Sequence, residues 1–255
     1  MTLQEEINLG FAPKFPYKMI DAKQEVELSM GIENRVLYIA FLGSVSKMDW
    51  VHNFMFWKKP YKQMKDVFFV HAGFLKIYQI VRDDINEYIQ HHLSDFDTVY
   101  ISGHSLGGAI ATLCNEDLSF LREQSPLLWQ HKVTKCVTTG APRVFATLFN
   151  RVPKGRCDTM LRVVCRSDGV PSLPFAFMGY KHVGQKFHAG KKRKLGILHP
   201  SFVYNHDVRD YQNIADFSYV DNANTNTLFT AAWKVYKIIY LVLALLILLA
   251  VGVCL

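Results

Sequence analysis

The sequence of 255 residues predicts an α/β fold, a mainly parallel sheet covered by helices. Short apolar runs alternate with segments of helical periodicity, and short glycine-bearing turns separate them. Half of the residues are hydrophobic, which excludes a disordered chain. The length suits one sizeable core better than two enzyme domains.

Five apolar runs are the predicted strands of this sheet. They are Val36 to Phe41, Val67 to Val70, Thr98 to Ser102, Val133 to Thr138 and Met160 to Cys165. A helix is predicted from about Leu75 to His92, where isoleucine and valine recur at helical spacing. A second helix is predicted from about Leu106 to Leu121.

One serine lies between glycines at the corner between a predicted strand and a predicted helix. Ser105 follows Gly103 and His104 and precedes Leu106 and Gly107. The glycines allow a sharp turn that exposes the serine oxygen at the sheet edge, the geometry of a nucleophile elbow. The motif predicts a serine hydrolase, which also needs a base, an orienting acid and an oxyanion hole.

The orienting acid is expected at the same sheet edge as the serine. Ligands of an open α/β sheet gather beyond the carboxyl ends of its strands. Asp168 follows the strand that ends at Cys165, whereas Asp158 precedes that strand and belongs to the opposite edge. We therefore expect Asp168 to be the acid.

The base is expected among the histidines that follow Asp168, since α/β-hydrolases place serine, acid and histidine in that order. His206 lies at the expected start of a short helix, after a proline-bearing loop that would let it reach Ser105. His199 is the alternative, although Pro200 restricts its backbone.

Two backbone N–H groups are candidates for the oxyanion hole. The N–H of Leu106 lies at the expected N-terminus of the second helix, where negative charge is favoured. Ser44 follows Gly43 in the turn after the first strand and could supply the second donor. The alternative is that Gly43-Ser44 forms an ordinary turn.

Large apolar side chains follow this turn, and they predict a lid or a lipid-contacting surface. The candidates are Trp50, Phe54, Phe56 and Trp57. A helix packed permanently on the core explains the same residues equally well.

The C-terminal segment is expected to cross a membrane. Residues 238–255 carry no charge and would span about 27 Å as a helix, close to the thickness of a thin bilayer. Lys234 and Lys237 flank one end only, which predicts a cytoplasmic catalytic domain. We divide the chain into a hydrolase domain (1–220), a tether (221–233) and a single-pass C-terminal tail anchor (234–255); a buried core helix is the alternative to the anchor.

The net charge of +7 is concentrated in one stretch. Lys191, Lys192, Arg193 and Lys194 follow Lys181 and Lys186 with no acid between them. Next to a membrane anchor, such a cluster favours docking on anionic lipid. A solvated loop is the simpler alternative, and nucleic acid is not the expected partner.

The histidines and cysteines show no spacing typical of a metal site, and no cofactor is expected. The five cysteines are scattered, and the N-terminus lacks the pattern of a secretory signal. Reduced thiols are therefore expected rather than a disulfide framework.

Six motifs in order resemble the class 3 lipase family, fungal-type triacylglycerol lipases with an α/β-hydrolase fold, over roughly 36–212. They are Phe41-Leu42-Gly43-Ser44, Val70-His71-Ala72-Gly73-Phe74, Gly103-His104-Ser105-Leu106-Gly107-Gly108, Thr139-Gly140-Ala141-Pro142-Arg143-Val144, Asp168-Gly169-Val170-Pro171 and Tyr180-Lys181-His182-Val183-Gly184, followed by His206-Asp207 and Tyr211. The resemblance implies a Ser105–Asp168–His206 triad, oxyanion donors from Ser44 and Leu106, and an acyl-enzyme route.

The expected function is hydrolysis of carboxylic esters in acylglycerols or phospholipids, with the substrate held in a membrane or a lipid droplet. Two alternatives remain at this point. One is a catalytically silent membrane-bound module that binds lipid or protein, because fold alone does not guarantee activity. The other is an esterase that acts on non-lipid acyl esters.

Overall fold

A computed structural model describes residues 17–21, 26–42, 57–63, 66–146, 155–165, 168–189, 206, 211 and 217–220. The contacts divide the chain into two units, Met1–Val220 and Asp221–Leu255. All described residues lie in the first unit.

The described strands and helices alternate along the central part of the chain. The strands are β1 (Tyr17–Asp21), β2 (Val26–Glu33), β3 (Val36–Leu42), β4 (Lys58–Gln63), β5 (Asp66–His71), β6 (Thr98–His104), β7 (Val133–Thr139), β8 (Phe145–Ala146), β9 (Leu161–Cys165), β10 (Tyr180–Lys181), β11 (Gln185–Ala189) and β12 (Phe217–Val220). The helices are α1 (Ala72–His91), α2 (Leu106–Gln124) and α3 (Pro126–Trp129), with 3₁₀ turns at Val170–Ser172 and Ala176–Met178.

Eight strands form the larger sheet, in the order β1-β2-β3-β6-β7-β9-β11-β12. The central strands β3, β6, β7, β9 and β11 run parallel to one another. Antiparallel strands complete both edges, β1 and β2 on one side and β12 on the other. The prediction of a mainly parallel sheet with helices is confirmed.

The predicted strand 67–70 lies in a different sheet from the one expected. As β5 it pairs with β4 and β8, in a four-stranded antiparallel sheet of order β10-β8-β5-β4. The segment Lys58–Gln63 folds back on it over six paired residues. Its apolar run was read correctly as a strand, but an apolar run does not specify its pairing partner.

A two-residue turn joins β2 to β3 in a β-hairpin. Asn34 and Arg35 have φ values of 50° and 59°, the positive values that a type I′ turn requires at both central residues. The Arg35 guanidinium donates two hydrogen bonds to Asp97, of 2.6 and 2.7 Å, and so ties the turn to the start of β6.

Helix α2 is buried on nearly every face, including two acidic residues. Asp117 accepts hydrogen bonds from the Tyr78 hydroxyl (2.8 Å) and Arg82 Nε (2.6 Å) of α1. Glu116 accepts from Arg156 Nη1 at 2.8 Å. Because buried charges are costly unless they are paired, these contacts allow α2 to lie in the core, where it positions its N-terminus at the sheet edge.

Several predicted features lie outside the described residues. They are the tether, the predicted membrane segment and the basic cluster 191–194. Within the described ranges, no helix combines the length and apolar character needed to cross a membrane. The four described cysteines, Cys114, Cys136, Cys157 and Cys165, are free thiols in the core.

Candidate active site

Ser105 occupies a strained corner between β6 and α2. Its φ of 57° and ψ of −124° lie in a region that residues with a side chain rarely adopt. A Cβ at Gly103 would lie 2.3 Å from the carbonyl oxygen of Gly107. The strand and the helix can therefore approach each other only because position 103 is glycine.

Neighbouring strands hold this corner in place. The Ser105 N–H donates to the Thr139 carbonyl at 2.9 Å, across to the end of β7. A Cβ at Gly108 would lie 2.7 Å from Cβ of Ala141, so α2 also packs tightly on the segment after β7. The hydroxyl is thus presented by a rigid backbone.

The structure brings Ser105, His206 and Asp168 into one line of hydrogen bonds. His206 Nε2 lies 2.6 Å from Ser105 Oγ, and His206 Nδ1 lies 2.7 Å from Asp168 Oδ2. A carboxylate can only accept, so Nδ1 carries the hydrogen and Nε2 is left to accept from the serine hydroxyl. This is the tautomer that a general base needs.

Asp168 is buried, and two further donors orient its carboxylate. The Val170 N–H donates to Oδ1 at 2.9 Å, and the Tyr211 hydroxyl donates to Oδ2 at 2.5 Å. Tyr211 in turn accepts from the Cys165 N–H at 3.1 Å. Burial and the charge of Asp168 raise the pKa of Tyr211 well above its usual value, so it stays a donor.

His104 supports the backbone of His206. Its Nε2 donates to the His206 carbonyl at 2.9 Å, and its Nδ1 accepts from the Thr139 hydroxyl at 3.0 Å. The two imidazole rings stack with centroids 4.8 Å apart. The elbow motif in the sequence includes His104 but does not predict this contact.

Gly140 makes room for the acid and the base. Its φ is 60°, and a Cβ there would lie 3.0 Å from both Asp168 Oδ2 and His206 Cε1. Neither the role of Gly140 nor that of Tyr211 was identified from the sequence, although both residues belong to the quoted motifs.

One of the two predicted oxyanion donors can be placed. Leu106 is the first residue of α2, so its N–H has no partner within the helix and lies at the positive end of the helix dipole. Ser44 lies outside the described residues.

Of the predicted lipid-contacting residues, Trp57 alone is described; Trp50, Phe54 and Phe56 lie outside the described ranges. The Trp57 side chain is 72% exposed, while its carbonyl accepts from the Ala72 N–H and the Tyr180 hydroxyl. The backbone is therefore anchored and the indole is left in contact with solvent. His199 also lies outside the described residues.

No group of three or more histidine, cysteine, aspartate or glutamate side chains in the described ranges is arranged to hold a metal ion.

Comparison with known proteins identifies a family and several relatives that this chain resembles. Residues 38–178, more than half of the chain, match the family model for Lipase (class 3). The lipase of Rhizomucor miehei is 31% identical over 165 residues, covering 63% of this chain and 43% of that protein. The chloroplastic phospholipase A1-Igamma2 of Arabidopsis thaliana is 26% identical over 167 residues, covering 56% and 32%.

A solved structure shows the same architecture. The lipase from Rhizopus microsporus var. chinensis superposes with a TM-score of 0.58 at 28% sequence identity, covering 69% of this chain and 61% of that one. These neighbours and the mainly parallel sheet identify the fold as an α/β-hydrolase fold. The chain spans less than half the length of the two curated relatives.

Proposed function

This chain belongs to the class 3 lipase family, and on that premise we propose that it is a serine hydrolase that cleaves carboxylic ester bonds in lipids. The observation that carries the proposal is the hydrogen-bonded line from Ser105 through His206 to Asp168. A hydroxyl, an imidazole and a buried carboxylate in this order form the arrangement that activates serine as a nucleophile.

The proposed reaction proceeds through an acyl-enzyme. His206 takes the Ser105 proton as Oγ attacks the ester carbonyl, and Asp168 stabilises the imidazolium that forms. His206 then gives this proton to the leaving alcohol. Water, activated by the same imidazole, hydrolyses the acyl-enzyme and restores the serine.

The proposed oxyanion donors are the backbone N–H groups of Leu106 and Ser44. The tetrahedral intermediate places negative charge on the former carbonyl oxygen, and fixed donors stabilise it more than they stabilise the substrate. The position of Leu106 at the start of α2 supports its part in this proposal.

The proposed substrates are acylglycerols or phospholipids. The relatives include a fungal lipase and a phospholipase A1, so the family match supports lipid esters as a class. It leaves open whether the substrate is an acylglycerol or a phospholipid. The exposed indole of Trp57 supports contact of the protein with a lipid surface.

We also propose that residues 234–255 anchor the enzyme in a membrane with the catalytic domain on the cytoplasmic side. The uncharged composition of 238–255 and the flanking lysines support this topology. The basic cluster Lys191, Lys192, Arg193 and Lys194 would then attract an anionic membrane surface.

Incubation of the purified full chain with a mixed lipid extract tests the proposed activity. We expect released fatty acids together with the matching lysolipids or partial acylglycerols, identified by mass spectrometry. Ser105→Ala, which keeps the fold but lacks the nucleophile, is the control and should release none. Equal release by the two proteins, or none by either, would overturn the proposal.

A further inference from the structure

His104 is the last residue of β6 and directly precedes Ser105. Its imidazole is half-buried and contacts three residues that are distant from it in the sequence: Thr139, His206 and Tyr211. His206 is the proposed base, and Tyr211 orients the proposed acid. The side chain next to the nucleophile therefore contacts the rest of the proposed site.

The two hydrogen bonds of the His104 ring define its tautomer. A carbonyl oxygen only accepts, so Nε2 carries the hydrogen that it donates to the His206 carbonyl at 2.9 Å. Nδ1 is left with a lone pair, which accepts from the Thr139 hydroxyl at 3.0 Å. This is the arrangement of a neutral ring in which each nitrogen has a partner.

Thr139 holds this ring in place relative to the elbow. Its hydroxyl donates to His104, and its carbonyl accepts from the Ser105 N–H at 2.9 Å. Thr139 ends β7, which pairs in parallel with β6 and places Thr139 in register with His104. The His104 ring is therefore held by the same pair of strands that holds the nucleophile.

The ring contacts of His104 reach both donors to the proposed acid. The rings of His104 and His206 stack with centroids 4.8 Å apart and planes at 29°, and the ring of Tyr211 meets His104 edge to face at 5.4 Å. Tyr211 donates to Asp168 Oδ2, the oxygen that also lies 2.7 Å from His206 Nδ1. His104 thus packs against both partners of this carboxylate oxygen.

His206 needs support of this kind because it reaches Ser105 from 101 residues away in the sequence. Asp168 holds the Nδ1 edge of the His206 imidazole. A ring held at one edge can still tilt and carry Nε2 away from Ser105 Oγ, and a displacement of about 1 Å can lower a rate about 100-fold. The His104 hydrogen bond holds the backbone of the same residue, so the ring and its backbone are fixed separately.

We propose that His104 is a positioning residue for the general base. Its hydrogen bond to the His206 carbonyl keeps His206 Nε2 in line with Ser105 Oγ. Because His104 adjoins Ser105 in the chain, the base stays aligned with the nucleophile when the elbow moves. The proposal rests on the proposed function of these residues, and it differs from a role in which the His104 ring only fills space.

Two substitutions separate the hydrogen bond from the packing of the ring. His104→Gln loses the ring but carries an amide donor at about the distance of Nε2 from the backbone, within reach of the His206 carbonyl. His104→Asn also loses the ring, and its shorter side chain meets Thr139 but falls short of His206. His131→Asn, at an exposed position before β7, is the control.

Turnover of a short-chain soluble ester by the full chain in neutral detergent is the first measurement. His104→Asn should lower kcat about tenfold or more with little change in KM, because a misplaced base slows the reaction without weakening the binding of the ester. His104→Gln should recover most of kcat, and His131→Asn should match the unmodified protein. A role in folding alone would lower the unfolding midpoints of both His104 variants without this difference in kcat.

NMR of the full chain with ¹⁵N-labelled histidine is the second measurement, and it needs no turnover. The hydrogen between His206 Nδ1 and Asp168 should give a far-downfield resonance in the unmodified protein and in His104→Gln, and this resonance should broaden in His104→Asn. His104 of the unmodified protein should carry its hydrogen on Nε2. A protein that shows these signals but hydrolyses no ester would refute the proposed function and support the positioning role.

Normal kcat and a normal downfield resonance in His104→Asn would overturn the proposal. So would equal losses in His104→Asn and His104→Gln, since the ring and not its hydrogen bond would then be responsible. A hydrogen on Nδ1 of His104 in the unmodified protein would overturn it without any variant, because Nε2 would then have nothing to donate.

Discussion

The position of His206 between a hydroxyl and a carboxylate makes it the residue on which the proposed chemistry depends. His206→Ala should lower kcat on a short-chain soluble ester by roughly 10⁴-fold or more, because it removes the imidazole that lies 2.6 Å from Ser105 Oγ and takes its proton. His199→Ala should retain most of the activity. The reverse pattern would reassign the base to His199.

Tyr211 is a positioning residue whose hydroxyl shares Asp168 Oδ2 with the His206 imidazole. Tyr211→Phe should lower kcat by about 10-fold while KM changes little, since a hydrogen bond to a charged group is worth about 1.5–3 kcal/mol. Tyr88→Phe on α1, whose ring contacts His92, serves as the control. A Tyr211→Phe enzyme with normal kcat would show that the other contacts suffice to hold Asp168.

At the residue scale, sequence motifs and predicted strand ends were enough to predict the three candidate catalytic residues. Ser105, Asp168 and His206 were assigned from the elbow, the strand order and the chain order, and the structure brings them together. The contacts of Gly140 and Tyr211 depend on how distant segments meet; Tyr211 reaches Asp168 across 43 residues of sequence. No local pattern specifies such a contact.

Glycine governs the geometry of the strand–helix corner. Gly103→Ala should lower the free energy of unfolding by about 3 kcal/mol or more, because the added methyl group meets backbone that cannot move independently. Gly155→Ala is the control. Its φ of 87° is unfavourable for alanine, but no atom of the described residues lies within 4 Å of a Cβ there, so only about 1–2 kcal/mol should be lost.

Chemical unfolding of both variants measures the difference. Equal losses of stability at positions 103 and 155 would mean that the corner relaxes around the methyl group. Glycine at position 103 would then not be needed for the strand and the helix to pack at this corner.

The N-terminus of α1 provides a pH-dependent contribution to stability. His71 caps this helix by accepting the Phe74 N–H at Nδ1, and burial lowers the pKa of His71 to about 4. Between pH 6.5 and 4 the unfolded chain binds a proton here that the folded protein does not. Stability should therefore fall as the pH falls through this range, by up to about 3 kcal/mol.

His71→Asn tests this contribution, because asparagine can accept the same cap hydrogen bond without titrating. The variant should lose less stability than the unmodified protein between pH 6.5 and 4, as measured by unfolding midpoints at each pH. Parallel pH profiles for the two proteins would show that His71 does not contribute.

At the level of elements, the periodicity of the sequence predicted where helices and strands occur better than it predicted which strands pair. Helix α2 was predicted to begin at Leu106, where the structure begins it, because the elbow motif marks the boundary. The strand 67–70 was predicted but assigned to the wrong sheet, and β1, β2, β4, β8, β10, β11 and β12 were not predicted. Of these, β1 and β12 are the edge strands of the larger sheet, and a strand that is paired on one side only carries a weaker apolar signal in its sequence.

At the level of the whole molecule, the proposed anchor and the catalytic domain should be separable. Deletion of 238–255 should move the protein from the membrane fraction to the soluble fraction while hydrolysis of a soluble ester is retained. Fractionation and an activity assay on both forms check this. A truncated protein that stays on membranes would place the attachment in the basic cluster or the region around Trp57.

Membrane attachment would serve the proposed chemistry by bringing the enzyme to a substrate that is itself in a lipid phase. The family match covers 38–178, which includes Ser105 and Asp168 of the catalytic core but not His206. Outside this core, two sequence features bear on the proposed membrane attachment: the uncharged composition of 238–255 and the basic cluster.

Covalent labelling with a fluorophosphonate probe tests most directly whether Ser105 is an activated nucleophile. The probe reacts with a serine whose proton is taken by a neighbouring base, and mass spectrometry of the digested protein locates the adduct. We predict a single adduct on Ser105 in the folded full chain and none in Ser105→Ala. A folded protein that takes up no label, or equal labelling of Ser105→Ala, would contradict the account.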